Sequence, residues 1–317
     1  MSATISGTSM TITRVIPAPR ALVFEAFTRA DHIDRWWGPD GFSNKTQEMD
    51  VRVGGQWIYT MTHAEYGTFP NRIRYHEVVA EELLAYTHDE GEGGPEGFQG
   101  RIQFRDVDGG TEVSLQVTLA TVEALQHALS FHADQGGEQN LAKLEVAMAE
   151  DAATDLVIER LVEAPVATVW AAWTEAARLE KWWGPKGYSV DTCTIDLRVG
   201  GMFHYAMTAP AGAPMAGTMW GRFVFHEVQP IHRLEYISSF SNAEGGIASH
   251  PMAAVWPAEI YNSLVLEAVG AYTKLTLRGR PIRASAESQA FFLQMRANVQ
   301  AGFAGTFGQL TGYLSAL

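Results

Sequence analysis

The tetrapeptide Trp36-Trp37-Gly38-Pro39 returns as Trp182-Trp183-Gly184-Pro185, a spacing of 146 residues. Adjacent tryptophans are uncommon, and a second pair followed by the same Gly-Pro marks a duplication. The flanks agree. Arg14–Phe42 set against Arg160–Tyr188 gives 13 identities in 29 positions, and most other changes conserve kind, such as Phe24 to Trp170 and Arg35 to Lys181. Solenoid repeats run roughly 20–50 residues, so this period is that of a whole domain. The 317 residues therefore read as two copies of one fold, 1–150 and 151–317. Roughly 100–200 residues per domain predicts the same number.

Composition narrows the class. The chain is 46% hydrophobic and 19% charged, and a domain of about 150 residues buries roughly 68–70% of its unfolded surface without a metal or disulfide. The single cysteine, Cys193, excludes an intramolecular disulfide and suits a reducing compartment; it reads as a buried strand thiol. Net charge is −13 with scattered basic residues, which argues against nucleic acid and anionic membranes as partners. Met1–Arg14 lacks the zones of a signal peptide. No apolar run approaches the ~20 residues of a membrane span. A soluble cytoplasmic protein is expected.

Hydrophobic periodicity orders the elements. Met1–Ser9 reads as disordered, and Met10–Ile16 alternates as a first strand. Val23, Phe24 and Phe27 fall at helical spacing, as do Val166, Val169, Trp170 and Trp173 in the second copy. A short helix then carries Ile33, Trp36 and Trp37, or Leu179, Trp182 and Trp183, and Gly-Pro ends it. Arg52-Val53-Gly54-Gly55 and Arg198-Val199-Gly200-Gly201 signal a hairpin turn. Beyond it, Trp57, Tyr59 and Met61 share one strand face, as do Phe203, Tyr205 and Met207. Further strands follow at 83–87 and 234–238, at 101–105 and 111–119, and at 259–267 and 273–277. Between them the copies diverge: 88–99 is a Gly- and Glu-rich loop, 209–216 carries extra residues, and 241–257 is longer. Each copy ends in a long helix, Thr121–Met148 and Ala286–Leu314. Both have mid-helix glycines that predict a close approach or a bend, namely Gly136-Gly137 and Gly302 with Gly305. The segment 149–155 is too short for a flexible linker, so the domains are expected to lie against each other.

This element order predicts an α+β domain in which one long helix covers the apolar face of an antiparallel sheet. One helix across a wide sheet leaves a gap, and that gap is the candidate site.

The early Ala-Pro, Trp-Trp-Gly-Pro, the Arg-Val-Gly-Gly turn with an aromatic two residues on, and His-Glu-Val at 76–78 and 226–228 form a pattern. With Gly-Gly-Thr-Glu-Val-Ser-Leu at 109–115 and Ala-Tyr-Thr-Lys-Leu-Thr-Leu at 271–277, it resembles the activator of Hsp90 ATPase homologue-like (AHSA1-like) family. That family belongs to the START/Bet v 1-like (SRPBCC) superfamily, and the resemblance spans nearly the whole chain twice. It implies a helix-grip fold, a curved antiparallel sheet wrapped round a C-terminal helix with a cavity between them. The superfamily includes carriers, polyketide cyclases and co-chaperone domains, so fold alone does not choose among them.

The candidate ligand-binding residues are Trp37, Trp57, Tyr59, Met61 and Arg74 in the first copy. In the second they are Trp183, Phe203, Tyr205, Met207, Trp220, Arg222, Trp256, Phe292 and Phe303. Tyr59 and Tyr205 are the preferred polar contacts, because a buried phenol needs a partner. His63, Arg72, His204 and Glu259 are further rim candidates. No metal site is expected: His127 and His132 are five apart, off the i, i+4 register, and His76 and His226 each neighbour a glutamate pointing to the opposite strand face. No Gly-x-Ser-x-Gly elbow or phosphate-binding glycine loop is present, so no catalytic residue is assigned and no cofactor is expected. The leading function is binding of a hydrophobic or aromatic small molecule. The aromatic- and Met-rich lining around 207–220 favours the second copy. The alternatives are a cyclase- or hydrolase-type enzyme acting on a polyketide-like substrate, and a co-chaperone-like module with a protein partner.

Overall fold

The computed structural model describes residues 3–89, 96–212 and 217–317. The divergent stretches at 90–95 and 213–216 therefore lie outside the described residues. The chain divides into two compact units, 1–153 and 154–317.

The first unit runs β1 (Thr4–Ser6), β2 (Ser9–Ile16), α1 (Arg20–Thr28), α2 (Ala30–Ile33), β3 (Phe42–Met49), β4 (Gln56–His63), β5 (Gly67–Val79), β6 (Leu83–Asp89), β7 (Glu96–Val107) and β8 (Gly110–Thr118). It closes with α3 (Val122–Ser130) and α4 (Ala133–Ala153). Its eight strands form one sheet in the order β1-β2-β8-β7-β6-β5-β4-β3. The second unit runs β9 (Leu156–Val162), α5 (Val166–Thr174), α6 (Ala176–Trp182), β10 (Ser189–Ile195), β11 (Met202–Thr208), β12 (Thr218–Gln229), β13 (Arg233–Ser241), β14 (Glu259–Val269), β15 (Tyr272–Ile282) and α7 (Ala286–Leu314). Its seven strands follow the order β10-β11-β12-β13-β14-β15-β9. Every pairing in both sheets is antiparallel. Each unit is an α+β helix-grip domain, and the fold is duplicated in tandem.

Period-two alternation selects the face that meets the helix. In β8, Val113, Leu115 and Val117 are buried while their neighbours are half-exposed. Trp57 and Tyr59 on β4, Ile73 and Tyr75 on β5, and Leu84 and Tyr86 on β6 continue that face. A bulge at His76, repeated at His226, bends the long middle strand in both sheets.

The tetrapeptide ties the short helix to the C-terminal one. Trp36 and Trp182 are buried, and each donates its indole N–H to a carbonyl ten residues back, Ala26 at 3.2 Å and Ala172 at 2.9 Å. The glycines that follow have φ of +112° and +105°, a region that L side chains adopt with strain. Gly38 N–H donates to Asn140 Oδ1 at 2.9 Å and Lys143 Nζ donates to Gly38 O at 2.8 Å, both side chains coming from α4. In the second domain Gln309 Nε2 donates to the Gly184 and Pro185 carbonyls.

Four expectations change. Thr4–Ser6 is a strand paired with Ser9–Thr11, since a turn at Gly7 folds it back onto β2. Strand β6 reaches Asp89 and β7 begins at Glu96, so His88 and Phe98 are paired strand residues rather than loop. The first C-terminal helix is two helices, broken at Phe131-His132 with His132 at φ +60°. Its start is as the cap predicts, with Thr121 Oγ1 accepting from Ala124 N–H at 3.1 Å. Helix α7 is continuous, and a side chain at Gly302 or Gly305 would meet nothing, so only the Gly136-Gly137 pair marks a close approach.

Candidate ligand cavities

Each domain leaves a cavity between sheet and helix. The first holds about 550 Å³ and the second about 210 Å³. Residues on the helices make the difference. The first domain presents Ala128, Ala133, Gly136 and Gly137 to the gap, and a Cβ on Gly137 would fall 2.2 Å from Ile12 Cδ1. The second presents Phe292, Val299 and Phe303, with Trp256 leaning on Phe292 at 5.5 Å between ring centroids. The larger cavity thus lies in the first domain, not in the second copy that the aromatic- and Met-rich lining favoured as the binder. Large rings line a pocket, but they also fill it.

Strand alternation sorts the candidate residues. Trp37, Tyr59 and Met61 line the first cavity, and Trp183, Tyr205, Trp256, Phe292 and Phe303 line the second. Trp57 lies beneath them: it stacks on Tyr59 at 3.9 Å and gives its indole N–H to Thr46 Oγ1 at 2.9 Å. Phe203 stacks on Tyr205 within the core, and Met207 packs its sulfur against Gly184. Three polar candidates are on the other side of the sheet. Arg74 neighbours the inward Ile73 and Tyr75, so it points outward, where it and Arg72 pair with the buried carboxylate of Asp89 at 3.1 and 2.9 Å. Trp220 and Arg222 flank the cavity residues Gly221 and Phe223 and also face out. Trp220 stacks on His204, and Arg222 Nη1 donates to Gly245 O at 2.8 Å. His204 in turn places Nε2 3.1 Å from the Asn242 carbonyl. Their role as cavity contacts is ruled out by the pleat. His63 stacks on Tyr66, and Glu259 is paired with Arg283.

The polar lining of the first cavity comes mainly from residues outside the candidate set: Asn71, Tyr86, His88 and Asn140. Tyr86 and His88 share the face of Leu84, so alternation carried the signal; the Gly- and Glu-rich run after them hid the strand's continuation. Asn71 Nδ2 donates to Phe69 O at 2.8 Å, leaving Asn71 Oδ1 to accept from His88 Nε2 at 2.9 Å. That arrangement gives the Nε2–H tautomer. The ring stacks on Phe98 at 4.5 Å, and its Nδ1 is buried with no hydrogen-bond partner. Burial pushes the His88 pKa down, against the opposing pull of the Asp89 charge, and favours a neutral imidazole. Burial likewise pushes the Tyr59 and Tyr86 phenols up, so both stay protonated.

The two cavities differ by an exchange of small and polar residues. In the first, Tyr59 stands opposite Asn71 and Tyr86 opposite Gly100; in the second, Tyr205 stands opposite Gly221 and Tyr236 opposite Asn262. A Cβ on Gly100 would lie 2.1 Å from Tyr86 Cζ, and one on Gly221 would lie 2.4 Å from Tyr205 Cζ. One tyrosine lies down over β7 and the other over β12. In the second domain burial pushes Tyr205 up to about 12, and the Trp183 indole N–H, directed at that hydroxyl, stops short of a hydrogen bond.

Among the described residues, no group of three or more His, Cys, Asp or Glu side chains comes close enough to hold a metal ion. No described helix is long and apolar enough to cross a membrane.

Two tandem helix-grip domains, each with a cavity under its C-terminal helix, define a class of scaffold that holds small ligands or docks on other proteins. The chain belongs to the Activator of Hsp90 ATPase homolog 1-like protein family, which it matches at residues 17–149 and again at 163–315. A comparison with curated proteins finds no match. Several similar solved structures match about half of this chain over nearly their whole length. Protein Ms6760 from Mycobacterium smegmatis is 19% identical, covers 47% of this chain and 98% of its own, and has a TM-score of 0.44. The AHSA1 protein from Silicibacter pomeroyi is 18% identical, covers 51% and 98%, and has a TM-score of 0.39. A protein from Arthrobacter aurescens is 17% identical, covers 48% and 93%, and has a TM-score of 0.45.

Proposed function

We propose that the protein binds a hydrophobic or aromatic small molecule in the cavity of its first domain. The observation that carries this reading is the cavity itself. About 550 Å³ falls within the 300–1,000 Å³ of small-molecule pockets, and the lining is aliphatic and aromatic with a few polar groups. The second cavity, at about 210 Å³, is below that range. The broken helix supplies the rim: Phe131 and His132 at the break and Gln135 on the next turn are exposed yet line the cavity.

An acid–base enzyme is less well supported. Such chemistry needs two titratable groups within reach of one substrate. The deep wall of this cavity offers one imidazole engaged with Asn71 and phenols held protonated.

Titration with the neutral fluorophore N-phenyl-1-naphthylamine tests the proposal. One saturable site per chain is expected, lost in Ala128→Phe, which fills the first cavity, and kept in Val299→Phe, which fills the second. Absence of saturable binding, or binding indifferent to Ala128→Phe, would overturn it.

A further inference from the structure

Among the described residues, the lining of the first cavity contains no aspartate, glutamate, lysine or arginine. A charged ligand there would surrender its hydration without an ionic partner, a cost of many kcal/mol. Polar selection is left to neutral groups, and most are already engaged. Asn71 accepts from His88 Nε2 and donates to the Phe69 carbonyl, while His88 Nδ1 lies buried without a partner. Asn140 Oδ1 is taken by the Gly38 N–H and Gln139 Oε1 by the Asp40 N–H.

Tyr86 is the lining group on which a ligand contact is best argued. Its side chain is 3% exposed and lines the cavity, yet no described protein group hydrogen-bonds its hydroxyl. Buried phenols normally find a partner. Gly100 sets the ring's direction, because any side chain there would strike Cζ and lift the ring off β7. Tyr59 lines the same cavity, and burial holds both phenols protonated.

We infer that the first cavity selects an uncharged ligand carrying a carbonyl-type acceptor oxygen, which accepts the hydroxyl proton of Tyr86. This rests on reading the first cavity as a ligand site and specifies what that site recognises. The second domain does not reproduce the arrangement, since Asn262 replaces Gly100 opposite Tyr236 and already donates to Ser238 Oγ at 2.9 Å.

A matched pair tests it: 2-acetylnaphthalene and 2-ethylnaphthalene differ by a carbonyl in place of a methylene. Both are measured on the full chain by displacement of N-phenyl-1-naphthylamine. The ketone-to-hydrocarbon affinity ratio should fall roughly three- to ten-fold in Tyr86→Phe, the worth of one neutral hydrogen bond. It should not change in Tyr236→Phe. A ratio unchanged in Tyr86→Phe while both compounds bind would overturn this inference and leave the ligand site standing. Failure of both compounds and of the fluorophore to bind would overturn the ligand site as well. A measurement on the unmodified chain guards against a variant that does not fold: 2-naphthoate binding as tightly as the ketone would also overturn the inference.

Discussion

Gly137 is where α4 comes nearest to the sheet, and replacing it by alanine tests why the first helix approaches as it does. Two effects oppose each other. Alanine in a helix interior is favoured over glycine by about 1 kcal/mol. The added Cβ would sit 2.2 Å from Ile12 Cδ1, with Ile12 Cγ1 at 3.5 Å and Leu115 Cδ2 at 4.0 Å. Overpacking of this kind costs about 1–3 kcal/mol, so Gly137→Ala should be between neutral and about 2 kcal/mol destabilising. Only the Ile12 δ-methyl causes the clash, so Ile12→Val removes it. In that background the remaining contacts are ordinary, and Gly137→Ala should stabilise by about 1 kcal/mol. The expected coupling between the sites is therefore roughly 1–3 kcal/mol, well above the additivity error of about 0.3–0.5. Hydrogen exchange of domain 1 peptides is the suitable assay, because a two-domain chain need not unfold in one step. The reasoning is refuted if Gly137→Ala has the same effect in both backgrounds.

Three further outcomes are expected. His88 has a folded pKa depressed below 6.5 by burial, so the unfolded state binds the proton more readily; stability is fully present above pH 6.5 and is lost as pH falls through the folded value. Domain 1 amides should thus lose protection below pH 6.5 in the parent chain, and the slope should flatten in His88→Gln. Phe292, 1% exposed and on the wall of the second cavity, should cost about 3–5 kcal/mol when cut to alanine and should leave space that admits a second equivalent of N-phenyl-1-naphthylamine. Stoichiometry remaining at one in a folded Phe292→Ala chain would count against the view that aromatic bulk closes this cavity. Cys193 is half-buried and its thiol is pushed up to about 11, by burial first and the Glu180 charge second. Ellman's reagent at pH 8 should therefore react slowly with the native chain and quickly in denaturant; fast native labelling would refute the burial argument.

Much of this protein was legible in the order of its residues. The 146-residue spacing of the doubled Trp-Trp-Gly-Pro marks a duplication of whole domains, and in both copies the first indole donates to a carbonyl ten residues back. Alternation placed Tyr59 and Met61 on the inner face, because pleating is a local property of the strand. The same rule sets Arg74, Trp220 and Arg222 outside, because each alternates with inward-facing residues of its strand. What the chain order did not contain was the room in each cavity. Volume depends on how far a helix stands from a sheet and on which rings meet across the gap, and these distances join residues more than a hundred positions apart, such as Ile12 and Gly137. An aromatic-rich segment looks like a pocket in one dimension and becomes filling in three. The unpartnered hydroxyl of Tyr86 belongs to the same category: local patterning can aim the side chain inward, but only the assembled domain decides whether anything there meets it.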